Sequence, residues 1–125
     1  MPEKQKYFQK RRLSFKYAFS GIWQAAKQEA NFKIHIGAAF LVILLGLICN
    51  LTNIEWLIIV ITIGCVMAAE LFNSAIERLI DLVHPQQNKQ AGLIKDISAG
   101  AVLITAIAAL VIGFIIFIPK IIEWL

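Results

Sequence analysis

The segment WLIIVITIGCVMAAELFNSAIERLIDLV, Trp56 to Val83, decides the fold. From Trp56 to Ala69 it holds no charge; from there it stays largely apolar while admitting Glu70, Asn73, Glu77, Arg78 and Asp81. A run of this length can cross a hydrocarbon core, which takes about 20 residues at about 1.5 Å rise each. Backbone groups cannot go unpaired in lipid, so the segment must be a helix. At about 100° per residue, Glu70, Asn73, Glu77 and Asp81 then share an arc of about 80°. Leu71, Ile76, Leu79, Ile80 and Leu82 take much of the remainder. The polar set is therefore a stripe along one third of a membrane helix.

Two further stretches have the same character, roughly Ile34 to Leu51 and Ile97 to Ile118, the second closed by Pro119. With 59% apolar and 16% charged residues and a mean hydropathy of +0.74, the 125-residue chain lacks the polar layer a soluble domain would need. The expected fold is an all-α membrane protein: one domain over residues 1–125, with spans at about 34–51, 56–83 and 97–118 and a basic leader over 1–33.

Basic residues set the orientation, because Lys and Arg in short flanks are retained on the cytoplasmic side. Lys4, Lys6, Lys10, Arg11, Arg12, Lys16, Lys27 and Lys33 precede the first span, whereas the NLTNIE link that follows it has none. Arg78, Lys89 and Lys95 flank the second link, and only Lys120 follows the last span. The amino terminus and the HPQQNKQAGLIK loop are thus expected in the cytoplasm and the carboxyl terminus outside. In the leader, Phe15, Phe19, Ile22 and Ala26 recur at helical steps, the pattern of an amphipathic helix lying among headgroups. Glu29, one turn beyond that stripe, does not fit a mere anchor. The net charge of +4 matches anionic headgroups rather than nucleic acid, for which no motif is present.

Glu70 stands about 20 Å from Trp56 and nearly as far from the helix end, too deep for snorkelling, which accounts well enough for Arg78 and Asp81. Intramembrane carboxylates usually face a bundle interior and mark function. Clustered carboxylates and an amide suit Mg²⁺, which favours a few carboxylates plus substrate phosphates over an all-protein cage. A spare carboxylate can act as general base toward a hydroxyl. Lys95, just ahead of the third span, can reach phosphate oxygens, and Asp96 and Ser98 are placed either to cap that helix or to touch the metal. There is no Walker-type loop, so a phosphoryl-transfer site here would rest on carboxylates and metal.

ELFNSAIERLID followed by KDISAGAVLI, together with AAKQEANFKIH in the leader, resembles the prokaryotic diacylglycerol kinase and undecaprenol kinase family of integral-membrane lipid kinases. The resemblance implies a homotrimer in the bacterial inner membrane, with active sites shared between neighbouring subunits at the cytoplasmic face. It implies ATP- and Mg²⁺-dependent phosphorylation of diacylglycerol or undecaprenol. It further implies Glu70 as general base, Glu29 and Glu77 as ligands of the metal on ATP, and Asn73 holding the site. Lys95 would contact nucleotide phosphates, with Asp96 supporting it, while Tyr17 and His84 lie where family members contact the nucleotide. Ser74 and IKDIS, where Thr and AKDIA are commoner, change no charge.

A competing class is a small proton-coupled transporter with Glu70 as its relay, although such a carrier has no need of Lys95, Asp96 or Glu29. A purely structural subunit, packing through Gly37, Ala38, Gly100 and Ala101, leaves Glu70 unexplained. Cys49 and Cys65 read as packing residues, His35 as an interfacial side chain, and Trp23, Trp56 and Trp124 as interface markers.

Overall fold

In a computed structural model describing residues 1–125, the chain forms four helices: α1 (Glu3–Gln28), α2 (Ala30–Ile48), α3 (Asn53–Val83) and α4 (Lys89–Trp124). There are no strands, and α2, α3 and α4 are each long and apolar enough to cross a membrane. Only 14 of the 125 residues are buried, and large apolar side chains such as Phe40, Ile61, Ile104 and Phe114 are exposed along all three. In water such faces would be an untenable apolar surface; in a bilayer they meet acyl chains or another protein.

The helix ends explain the tight hairpin between α2 and α3. Asn50 takes the left-handed conformation at φ 51°, and the Leu51 N–H returns to the Gly46 carbonyl at 3.3 Å, a Schellman closure that satisfies an orphan carbonyl. Thr52 and Glu55 then form a reciprocal capping box, with the Glu55 N–H donating to Thr52 Oγ1 at 3.3 Å and the Thr52 N–H to Glu55 Oε2 at 2.8 Å. Here the chain packs best: Cys49, Leu51, Ile59, Ile116 and Phe117 form the buried cluster, with Trp56 laid against Gly46. Trp56 is thus partly a packing residue and not only an interface marker.

Helices α2 and α3 start a few residues earlier than the expected spans, at Ala30 and Asn53, α2 ends at Ile48, and the two boundaries of the last helix differ most. The last helix starts at Lys89, two turns before Ile97, because the Asn88 side chain accepts from the N–H groups of Gln90 (2.8 Å) and Ala91 (3.2 Å). Asp96 and Ser98 are therefore interior helix residues and not caps. Pro119 also does not end the helix, which runs on to Trp124. The proline leaves one carbonyl of the preceding turn unpaired, but Ile116 and Phe117 anchor the helix from within and Lys120 Nζ meets Glu55 Oε2 at 3.1 Å across from α3.

Between α1 and α2 the chain breaks at one residue. Glu29 is extended (φ −99°, ψ 113°), its N–H accepted by Ala25 and its carbonyl accepting from Lys33. A carboxylate thus sits at the corner where the leader turns into the first span.

Candidate active site

Helix α3 supplies the centre of the site. Its long regular stretch turns Glu70, Asn73 and Ser74 inward, at 2%, 6% and 7% exposure, while Glu77 is half-buried and Arg78 and Asp81 are exposed. Apolar residues fill the lipid-facing positions, Phe72 among them, so helix phase alone decides which groups enter the bundle.

Glu70 meets α2. His35 Nε2 lies 3.2 Å from Glu70 Oε1, and the carboxylate has no other side-chain partner. One turn on, the Asn73 amide donates to Glu77 Oε1 at 3.4 Å, and Asn73 Oδ1 is buried with nothing bound to it. A buried acceptor left unmatched is costly, and it marks a position where a donor or a cation completes the set.

Glu29, at the α1–α2 corner, is gripped by Arg78, whose Nη2 and Nε donate to its Oε1 at 2.8 and 3.3 Å while Nη2 also donates to Gln28 Oε1 at 2.8 Å. Its backbone occupies the α2 N-cap, yet its side chain makes no capping bond. Lys95, on the first turns of α4, forms an ion pair with Asp81 of α3. Asp96, the expected companion of Lys95, is exposed and has no such contact. Tyr17 is 68% exposed and lines a groove between α1 and α3 with Gln24, Leu71, Ser74 and Arg78. His84 lines a second, polar crevice at the α3–α4 turn with Asp81, Asn88, Lys89 and Lys95; its Nδ1 is 3.1 Å from the Gln86 carbonyl oxygen.

A third space lies within the bundle. It is apolar apart from His35 and Thr62, and is lined by Ala38, Val42, Ile63, Val66, Met67 and Ala109 of α2, α3 and α4.

The sequence-derived residues are therefore joined in part. Asn73 and Glu77 are linked, while Glu29 and Lys95 each engage a different exposed residue of α3, Arg78 and Asp81. Nowhere do three His, Cys, Asp or Glu side chains converge as a metal cage. Three participants depart from the sequence expectation: His35 faces Glu70 rather than the interface, and Arg78 and Asp81 pair with Glu29 and Lys95 rather than only snorkelling. A cation beside a carboxylate in the sequence says nothing about a partner 49 residues away.

A profile of the family described as prokaryotic diacylglycerol kinase matches residues 16–117. The chain is 42% identical over 107 residues to an undecaprenol kinase of Bacillus subtilis, covering 86% of this chain and 87% of that protein. It is 35% identical over 112 residues to a diacylglycerol kinase of Synechocystis, covering 89% of this chain and 64% of that one. With a diacylglycerol kinase of Escherichia coli it shares 28% identity over 95 residues, covering 76% and 78% respectively.

Proposed function

The chain belongs to the prokaryotic diacylglycerol kinase family and is a lipid kinase, and from that premise we propose that it passes the terminal phosphate of ATP to the hydroxyl of a membrane lipid at the cytoplasmic face of the bacterial inner membrane, with Glu70 as general base. The observation that carries this reading is Glu70 itself, a carboxylate exposed by only 2% inside an otherwise apolar bundle and touched by one imidazole. An ionisable group is kept at such a depth only for a purpose.

Glu70 takes the hydroxyl proton as the lipid oxygen attacks phosphorus, and no covalent enzyme intermediate is needed. The apolar space below His35 offers room for part of the lipid tail, so the reacting hydroxyl and the base meet at its polar end. Lys95 contacts the nucleotide phosphates from α4, Asp96 supports the nucleotide pocket beside it, and Tyr17 contacts the nucleotide from α1. The donor set fits a hard divalent cation: Glu29 and Glu77 are carboxylates, Asn73 presents an unmatched buried oxygen, and neither thiolate nor imidazole competes. Glu29 and Glu77 would hold Mg²⁺, with Asn73 orienting Glu77. When bound, the ion supplies charge neutralisation on the transferring phosphate. The proton-coupled carrier is set aside, since the relatives named are kinases and such a carrier leaves Lys95 and Glu29 idle.

Of the two acceptors we place undecaprenol first, on the 42% identity to a protein named for it against 35% to one named for diacylglycerol. A competition assay with undecaprenol and diacylglycerol in one bilayer checks this, and preferential labelling of diacylglycerol would reverse it. The test of the reaction is purified protein given labelled ATP, Mg²⁺ and lipid. Wild type labels lipid, and Glu70→Gln should lose about 10²–10⁴-fold in kcat while still folding and binding ATP. Near-wild-type turnover in that variant ends the base assignment.

A further inference from the structure

We propose that His35 is the positioning residue of Glu70, holding one carboxylate oxygen so that the other is presented to the lipid hydroxyl; this rests on the assignment of Glu70 as base. The argument begins with what surrounds that carboxylate. Glu70 is buried on α3, at 2% exposure, where an ionised group without a partner is strongly disfavoured. Its only polar side-chain partner is the His35 imidazole, with Nε2 3.2 Å from Oε1. The imidazole approaches Oε1 alone, which leaves Oε2 uncommitted; a base needs one oxygen steadied and one free to take a proton.

His35 is well built for that duty. It sits on α2 rather than α3, so the contact fixes Glu70 against a separate helix and sets the carboxylate plane independently of α3's own side-chain rotamers. Its side chain retains 22% exposure against 3% for Glu70, and its ring lines the same apolar space proposed for the lipid tail. Nε2 is the ring atom that faces the carboxylate, at 3.2 Å from Oε1, and the neutral ring can donate from that nitrogen. The imidazole therefore stands between the base and the space through which a lipid headgroup would approach. A histidine that only marked the membrane interface would have no reason to turn inward onto the most buried carboxylate of the chain.

Three variants test this against the wild-type kinase in one lipid composition. His35→Leu keeps bulk but removes the donor; His35→Gln keeps an N–H at nearly the distance of Nε2; His35→Asn keeps an N–H that is too short to reach. A bond to a charged group of this kind is worth about 10- to 100-fold, so kcat should fall by that factor in His35→Leu and His35→Asn. KM for ATP and for lipid should stay within about twofold, the mark of an interaction used in the transition state and not in binding. His35→Gln should recover most of the lost rate, which a packing role would not predict, and should do so even if His35→Leu fails to fold, because the Gln and Asn contrast stands on its own. In a Glu70→Gln background, His35→Asn should cause no further loss, since the two act as a unit.

A His35→Asn kcat within about twofold of wild type, or equal losses in the Gln and Asn variants, overturns the positioning role. If Glu70→Gln is inactive alongside that result, the base assignment stands without it. If Glu70→Gln remains active, the base assignment falls and this inference falls with it.

Discussion

Arg78 and Glu29 show how one side chain can be both structural and obstructive. The guanidinium holds the Glu29 carboxylate at 2.8 Å, but the pair is not deeply buried, with side chains 55% and 26% exposed. Screened pairs of this kind contribute about 0.2–1 kcal/mol, so a cation that needs Glu29 can displace Arg78 at little cost. We therefore expect Arg78→Ala to lower the Mg²⁺ concentration for half-maximal activity, by up to about fivefold given that energy. Activity measured across a Mg²⁺ series decides it; a rise in the Mg²⁺ requirement would mean that Arg78 orients Glu29 for the metal rather than competing with it. The neighbouring Asn73 points the other way. Its amide commits to Glu77 and its oxygen to nothing, so what binds beside Glu77 meets an acceptor already in place.

At the scale of helices, the sequence announced α3 plainly because an uncharged run flanked by a polar stripe has only one membrane-compatible reading. It was less informative where a helix extends beyond lipid. Lys89 to Lys95 is polar and reads as part of the loop, yet Asn88 caps it and α4 begins there. Pro119 looked like a stop because the local rule is strong, and the rule yielded to anchoring by Ile116 and Phe117 within the outer cluster. The contact of Gly46 with Trp56 was equally hidden, since it depends on the Asn50 turn folding α3 back on α2. A Cβ on Gly46 would lie 2.7 Å from Trp56 Cη2 and 2.9 Å from Leu51 Cδ1. Overpacking of that order costs about 1–3 kcal/mol, against a gain of about 0.5–1 kcal/mol from replacing glycine inside a helix. Gly46→Ala should therefore lower the thermal midpoint in detergent, and by less in a Trp56→Phe background where the offending ring atoms are gone. Equal shifts in both backgrounds would show that the ring is not what limits the site. Activity per folded molecule should change less than stability, because Trp56 lies about 20 Å from Glu70 along α3.

For the whole molecule, the arrangement of charge argues that one chain does not complete the site. Successive helix positions diverge by about 100°, so Arg78, which engages Glu29, leaves α3 in a different direction from Glu77, which is bonded to Asn73. No contact joins Glu29 to Glu77, and no metal cage of three ligands exists within the chain. Meanwhile Phe40, Ile61, Ile104 and Phe114 are left uncovered along the spans, as they would be in a protein that packs against copies of itself. These features are compatible with the homotrimer and shared sites that the family resemblance implies. If Glu29 of one subunit serves the same site as Glu77 of the next, co-expressed Glu29→Gln and Glu77→Gln chains with different tags form mixed trimers in which one site of the three regains both carboxylates. Doubly tag-purified trimers should then show about one third of wild-type activity, the closed ring fixing that fraction, while either variant alone stays low. Mixed trimers no more active than their parents would place both carboxylates within a single subunit. Glu29 would then have to exchange Arg78 for the metal by a movement of the α1–α2 corner, the one residue between those helices that is already extended.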